Sequence, residues 1–235
     1  MTTLVFVGPT LAADEVHARL PGAEVLGPAA VGDVLRSARR RGIARIAIID
    51  GYFERMAAVW HKEVLVALAK GIQVWGAASM GALRAAELAP FGMRGVGTIY
   101  RDYARGVLVA DDEVAVAHAP AEYGYRATSD ALVNLRYGLA QAVRGHVITD
   151  AARVQLVALA QGRFYRDRSW SQLVSDGRAA GIAVDGLASW RKPDRKADDA
   201  RLLLRRLRSD RSRGAVTKIR VPRTWALRQL ESLLR

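Results

Sequence analysis

The sequence predicts an α/β fold, a mainly parallel sheet in the N-terminal half followed by a mainly helical C-terminal part. Three observations predict it. Short apolar, β-branched runs alternate with helical stretches up to residue 77. The runs are continuously apolar, as strands covered on both faces by crossover helices must be. From Asp130 onward apolar residues recur at intervals of three and four. The chain has 235 residues and no internal repeats, which is enough to bury a substantial core.

The elements follow in order. LVFVG reads as the first strand, LAADEVHARL as a helix, SARRRG as the approach to a second strand IARIAIID, VWHKEVLVALAKG as a helix and IQVWGA as a third strand. In a parallel sheet Gly8-Pro9-Thr10, Asp50-Gly51-Tyr52 and Ala77-Ala78-Ser79 would gather at the carboxyl edge, where ligands of such sheets bind. GVGTIYRDYARG is rich in turns and precedes the acidic DDEVAVAHAP. Leu132, Leu135, Leu139 and Val143 open a helical region that VQLVALA, WSQLV, ARLLLRRL and TWALRQLESLL continue. Pro193 and dense charge mark RKPDRKADD as a linker, with Asp198 or Asp199 capping the next helix. The expected organisation is a core of residues 1–129 and a basic helical part of residues 130–235, packed as one unit.

Composition removes several classes of function. There is no cysteine, so disulfides, thiolate catalysis and cysteine-ligated zinc are excluded. His17, His61, His118 and His146 lack the close spacing of a metal site, and neither metal nor cofactor is expected. MTTLVFVGPT lacks the features of a secretory signal, and no apolar run approaches the roughly 20 residues of a membrane helix. The expected location is cytoplasmic, with no membrane partner.

The net charge of +13 is uneven: residues 1–150 carry +1 and residues 151–235 carry +12. The arginines of RLLLRRLRSDRSR and KIRVPR, Arg205 and Arg206 among them, form a field suited to an acidic partner. Nothing resembles an RNP, KH or zinc-finger motif, so nucleic acid ranks behind protein as that partner.

The string GAASMGALRAAE carries the chemistry. Ser79 sits where a buried strand turns into a helix among small residues, the geometry of a nucleophile elbow, and the amides of Met80 and Gly81 are placed to hold an oxyanion. A-A-S-M-G departs from G-x-S-x-G at Ala77, and no Asp and His follow in α/β-hydrolase order. A plain helix N-cap or an anion-binding turn are the alternatives. A helical wheel puts Lys62 between Leu65 and Val66 and beside Ala69, where desolvation would favour a neutral amine able to act as a base; Glu63 and Lys70 fall on the polar arc. His61 is the other base on this side, or a group that orients substrate. Arg84 and Glu87 are one turn apart, an intrahelical ion pair or, for Arg84, a clamp for a carboxylate-like group.

FVGPT, GPAAVGD, IIDGYFE, VWHKE, GAASMGALRAAELAPFGM, GVG and DDEVAVAH, in this order, resemble the TfuA family from the N-terminus to about Asn134. The resemblance implies a protein that accompanies a YcaO enzyme, which activates a peptide amide with ATP so that sulfur replaces its oxygen. It also implies a reaction: hydrolysis of the thiocarboxylated C-terminus of a ThiS-like sulfur carrier through a serine–lysine pair, with release of sulfide. The family's serine falls on Ser79 and its lysine is assigned to Lys62. The turns at Gly8, Gly51 and Gly76 are then expected to line a slot for the carrier's Gly-Gly tail, with Thr10 and Asp50 among the residues that bind substrate. The other readings are a generic serine esterase and a noncatalytic YcaO adaptor or nucleic-acid binder.

Overall fold

The computed structural model describes residues 2–53, 56–212, 214 and 219–234, so Arg213 and Lys218 of the basic strings lie outside it. The chain divides into two compact units, residues 1–108 with 197–235, and residues 109–196. The sequence reading placed one division at 129/130. The structure differs because the last segment returns to pack on the first unit's sheet.

In the first unit the order is β1 (Thr2–Phe6), α1 (Ala13–Arg19), β2 (Glu24–Leu26), α2 (Asp33–Ser37), β3 (Ile43–Ile48), α3 (His61–Ala69), β4 (Gln73–Ala77), α4 (Met80–Leu88), β5 (Arg94–Val96) and α5 (Thr98–Ala104). The second unit holds α6 (Leu132–Arg144), α7 (Asp150–Gly162), α8 (Trp170–Ala179) and α9 (Asp185–Ala188). The chain then runs through α10 (Arg195–Ser209) to α11 (Trp225–Leu233).

All four strand pairings are parallel, in the order β2-β1-β3-β4-β5. This is a doubly wound sheet. Alternate residues serve opposite faces, as the two-residue strand period requires. Leu4, Phe6, Ile46, Ile48 and Val74 meet Val34 of α2, Val64, Leu65 and Leu68 of α3 and Ala85 and Leu88 of α4. Val5, Val7, Ala47, Ile49 and Trp75 meet Val16 of α1 and Ala200, Leu203, Leu204 and Leu207 of α10. The α10 residues recur at three, one and three, the stripe of a helix with one buried face. Leu203 and Leu204 are fully buried, each contributing about 2 kcal/mol. Arg201 ties α10 to Glu15 of α1, and with Arg19 holds that carboxyl down at about 2.

α11 covers α2 and α3. Leu227 and Leu230 pack on Leu35 with Val66 beside them, and Arg39 donates to the Glu231 and Leu234 carbonyls at the helix's far end. The second unit has its own core around Leu135, Leu139, Leu156 and Leu187. There Arg168, almost fully buried, donates to the Asp112 carboxylate and to the Asp112, Ala160 and Arg163 carbonyls. Among the described residues no helix is long and apolar enough to cross a membrane.

Three local readings change. β2 and β5 have three residues each, too few to show a strand pattern, and the turn-rich string after Arg94 contains β5 and α5. RKPDRKADD is irregular over residues 191–194, and from Arg195 it is already the start of α10. Asp199 does not cap the helix that contains it: its carboxylate accepts the Ile99 amide at the start of α5.

Candidate functional site

Because the sheet is parallel, the loops after β1, β3 and β4 lie along one edge, and the structure interlocks them. Asp50 is nearly fully buried and accepts from the Gly8 and Thr10 amides at 2.9 and 3.0 Å and from the Thr10 hydroxyl at 2.6 Å. These three donors would otherwise form an anion cradle at the switch point between β1 and β3. The chain's own carboxylate occupies that cradle, so Gly8, Thr10 and Asp50 build the edge rather than line an open slot.

The β4–α4 turn is an elbow. Ala78 has φ +67°, and the Ser79 amide donates back to the Ala77 carbonyl at 2.8 Å, closing a three-residue turn of the strained, positive-φ hand. Such a backbone costs about 1–3 kcal/mol and persists only where its surroundings enforce it. Ser79 follows at φ −115°, ψ −130° as the residue before α4, and its carbonyl accepts the Ala82 amide at 2.9 Å. It is buried, and its side chain makes no capping bond to α4.

The small residues around Ser79 serve close approach. A β-carbon on Gly81 would overlap the Ile48 carbonyl oxygen, and one on Gly76 would overlap the Gly81 carbonyl oxygen. Helix α4 therefore lies directly against β3 and β4. One expectation changes in consequence. The Gly81 amide is directed at the Ile49 carbonyl, 3.3 Å away, so of the two expected oxyanion donors only Met80 remains. Gly76 faces α4, and Gly51 packs against Met80 with 2.9 Å between its would-be β-carbon and Met80 Cγ.

α3 starts at the same edge. Val59 and His61 join it to α4: Arg84 Nε donates to the Val59 carbonyl at 2.9 Å, Arg84 Nη1 pairs with Glu87 at 2.7 Å, and His61 Nε2 meets the same Glu87 oxygen at 2.9 Å. Arg84 thus makes the expected intrahelical pair and fixes the loop before α3 as well.

Lys62 is half-buried, and its Nζ donates to Thr224 Oγ1, 2.9 Å away and 162 residues on in sequence, instead of to Ser79. Glu63 departs from the wheel. It is fully buried, accepting the Trp60 amide at 3.1 Å and the Gly32 and Leu35 amides at 2.8 and 3.2 Å, which joins the starts of α3 and α2. Burial pushes its carboxyl above the usual carboxylate value, against the pull of those amides.

Ser79, Met80, Gly81, Gly8, Thr10, Asp50 and Gly51 therefore share the carboxyl edge, with His61, Lys62 and Arg84 on the flanking helices. Arg205 and Arg206 are elsewhere, on the exposed face of α10. Sequence reasoning missed Glu63 and Thr224. Thr224, the first residue of TWALRQLESLL, is the N-cap of α11, and nothing local in the sequence marks its pairing with Lys62. A cleft of about 600 Å³ lies at the opposite end of the sheet, among the starts of β1, β3 and β4, and contains none of these residues. Among the described residues no group of three or more His, Asp or Glu side chains is arranged to hold a metal.

Comparison with known families gives one match, to the family described as TfuA-like protein, over residues 50–169, just over half of the chain. That span begins just after β3, takes in α3, the elbow and most of the second unit, and stops before α10 and α11. No curated protein matches.

Proposed function

Because this chain belongs to the TfuA-like family, we propose that it is a hydrolase that releases sulfide from a thiocarboxylated ThiS-like carrier protein in support of a YcaO enzyme that thioamidates a peptide backbone. The observation that carries the reading is the elbow: a buried serine at the carboxyl end of β4, after an alanine at φ +67° and at the start of α4. A serine needed only as an N-cap would bond its own helix, and Ser79 makes no such bond.

In the proposed reaction Ser79 Oγ attacks the thiocarboxyl carbon while Lys62, as a neutral amine, accepts the serine proton. The thiocarboxylate takes a proton from solvent before attack, and the starts of α3 and α4 favour the negative charge of the tetrahedral intermediate that follows. The Met80 amide holds the tetrahedral oxyanion. Collapse breaks the carbon–sulfur bond and expels hydrosulfide, leaving an acyl-serine. The departing hydrosulfide takes the proton from Lys62 and leaves as hydrogen sulfide, so the amine is neutral again. Water, its proton taken by Lys62, then attacks that ester, Lys62 returns the proton to the leaving serine oxygen, and the carrier ends as an ordinary carboxylate. The net change is thiocarboxylate plus water to carboxylate plus hydrogen sulfide. The basic face of α10, with Arg205 and Arg206 exposed, is assigned to docking an acidic surface of the YcaO partner.

The test is sulfide release from a thiocarboxylated carrier by the wild type and by Ser79→Ala. Wild-type rates in the variant would sink the reading. One observation favours the alternative, a noncatalytic YcaO adaptor: the side-chain hydrogen bond of Lys62 Nζ goes to Thr224 and not to Ser79. An adaptor would keep supporting thioamidation without Ser79.

A further inference from the structure

The lysine of the proposed pair is held by a residue outside the family-matched region. Lys62 Nζ donates to Thr224 Oγ1 at 2.9 Å, and the same hydroxyl oxygen accepts the Leu227 amide at 3.4 Å as the N-cap of α11. A threonine hydroxyl has two acceptor sites and one proton to give. Both acceptor sites are in use. The oxygen is also fixed in place: α11 is anchored by Leu227 and Leu230 on Leu35 and, at its far end, by Arg39 on the Glu231 and Leu234 carbonyls. On the other side, Glu63 ties the first turn of α3 to α2 through the Trp60, Gly32 and Leu35 amides. The amine and its acceptor thus each sit on a backbone pinned independently.

We propose that Thr224 is a positioning residue for Lys62, so that α11 completes a serine–lysine–threonine arrangement whose third member comes from the end of the chain; this rests on the reading of Lys62 as the base. A neutral amine has two N–H donors and one lone pair. A free lysine side chain points that lone pair in many directions. Committing one N–H to a fixed oxygen confines the amine to rotation about that bond, which limits the directions in which its lone pair can meet the serine proton. The arrangement follows the general rule that a base beside a nucleophile is itself oriented by a third group. It also gives the C-terminal helix a role in the chemistry, although the family match ends at residue 169.

The experiment uses the full chain and three variants, Thr224→Val, Thr224→Ser and Ser79→Ala, each checked by thermal melting. Thr224→Val keeps the shape of the side chain and removes the oxygen. It should lower kcat for sulfide release by roughly ten- to a hundredfold with little change in KM, the penalty of a misplaced catalytic group. Thr224→Ser restores the oxygen and should recover most of that loss, whereas a purely structural cap would move the melting temperature without this split. A second readout needs no activity: competitive acetylation of the lysines, followed by mass spectrometry of the peptide containing Lys62. The rate at Lys62 should change severalfold in Thr224→Val and return in Thr224→Ser. An unchanged kcat, or unchanged Lys62 acetylation, in Thr224→Val overturns the proposal. A kcat above wild type also overturns it, and makes Thr224 a restraint that Lys62 must escape. If Ser79→Ala is fully active, the hydrolase reading itself fails, and the acetylation result still decides whether Thr224 holds the amine.

Discussion

Gly81 and Ile48 are in backbone contact across the α4–β3 packing, so close that a β-carbon on Gly81 would overlap the Ile48 carbonyl oxygen. The obstacle is main chain on both sides, and no side-chain rotation relieves it. Gly81→Ala should therefore destabilise the protein by about 3 kcal/mol or more, at the upper end for overpacking. Urea unfolding monitored by circular dichroism checks this. A midpoint within error of wild type would mean that α4 stands off the sheet.

Ser79→Ala should separate chemistry from stability. The hydroxyl makes no cap to α4, so the variant should melt within a few degrees of wild type. Sulfide release should fall on the order of a thousandfold, as expected when a nucleophile is removed. Single-turnover assays with a thiocarboxylated carrier give the number.

Lys62→Arg and Lys62→Ala divide two roles. Arginine keeps the positive charge and much of the reach, but it stays protonated to about pH 12 and cannot act as a base near neutrality. If Lys62 accepts the serine proton, both variants should be almost equally inactive. Retention of most activity by Lys62→Arg alone would make the residue an electrostatic clamp and His61 the next base to test.

Glu63 should imprint a pH dependence on stability. Burial raises its carboxyl above 4.5, so over the interval above that value the folded protein binds more protons there than the unfolded chain does. Stability then falls as pH rises through the interval. Glu63→Gln cannot titrate. The advantage of wild type over Glu63→Gln should be greatest below about pH 4.5 and shrink as pH rises. Chemical unfolding of both proteins from pH 4 to 8 measures the difference, and a gap that widens with pH contradicts it.

Arg205 and Arg206 lie on the exposed face of α10, so reversing both to glutamate should leave the fold intact. Association with a YcaO partner should slow, chiefly through the on-rate, and should lose much of its dependence on salt. Stopped-flow or biosensor kinetics at two ionic strengths would show it. Tight, sequence-indifferent binding of nucleic acid by the wild type, with no YcaO association, would reassign this face.

What could be read in advance follows from the range of each interaction. β1, β3 and β4 are five or six residues long and mainly apolar, so the parallel core was visible, whereas β2 and β5 are edge strands of three residues that pattern cannot register. The elbow was legible because close packing demands small residues near Ser79, and those residues are local. The wheel placed Lys62 beside Val66 and misplaced Glu63, because a wheel carries no knowledge of the amides of Gly32 and Leu35 that draw a carboxylate inward. Asp50 drew notice as an edge residue, but its role as a built-in anion became visible only when the sheet brought Gly8 and Thr10 to it. Thr224 lies 162 residues from Lys62 in sequence and was not accessible to local pattern.

The return of α10 to the sheet has a consequence for biosynthesis. Val5, Ala47, Ile49 and Trp75 are made early, yet the helix that covers them with Ala200, Leu203, Leu204 and Leu207 follows an intervening unit of 88 residues, 109–196. At translation speeds of about 5–20 residues per second, one apolar face of the sheet waits several seconds for its cover. The other face is closed sooner, since α2, α3 and α4 are interleaved with the strands they pack on. A nascent chain stalled before residue 197 should thus present a half-covered sheet, the form on which a ribosome-associated chaperone would act.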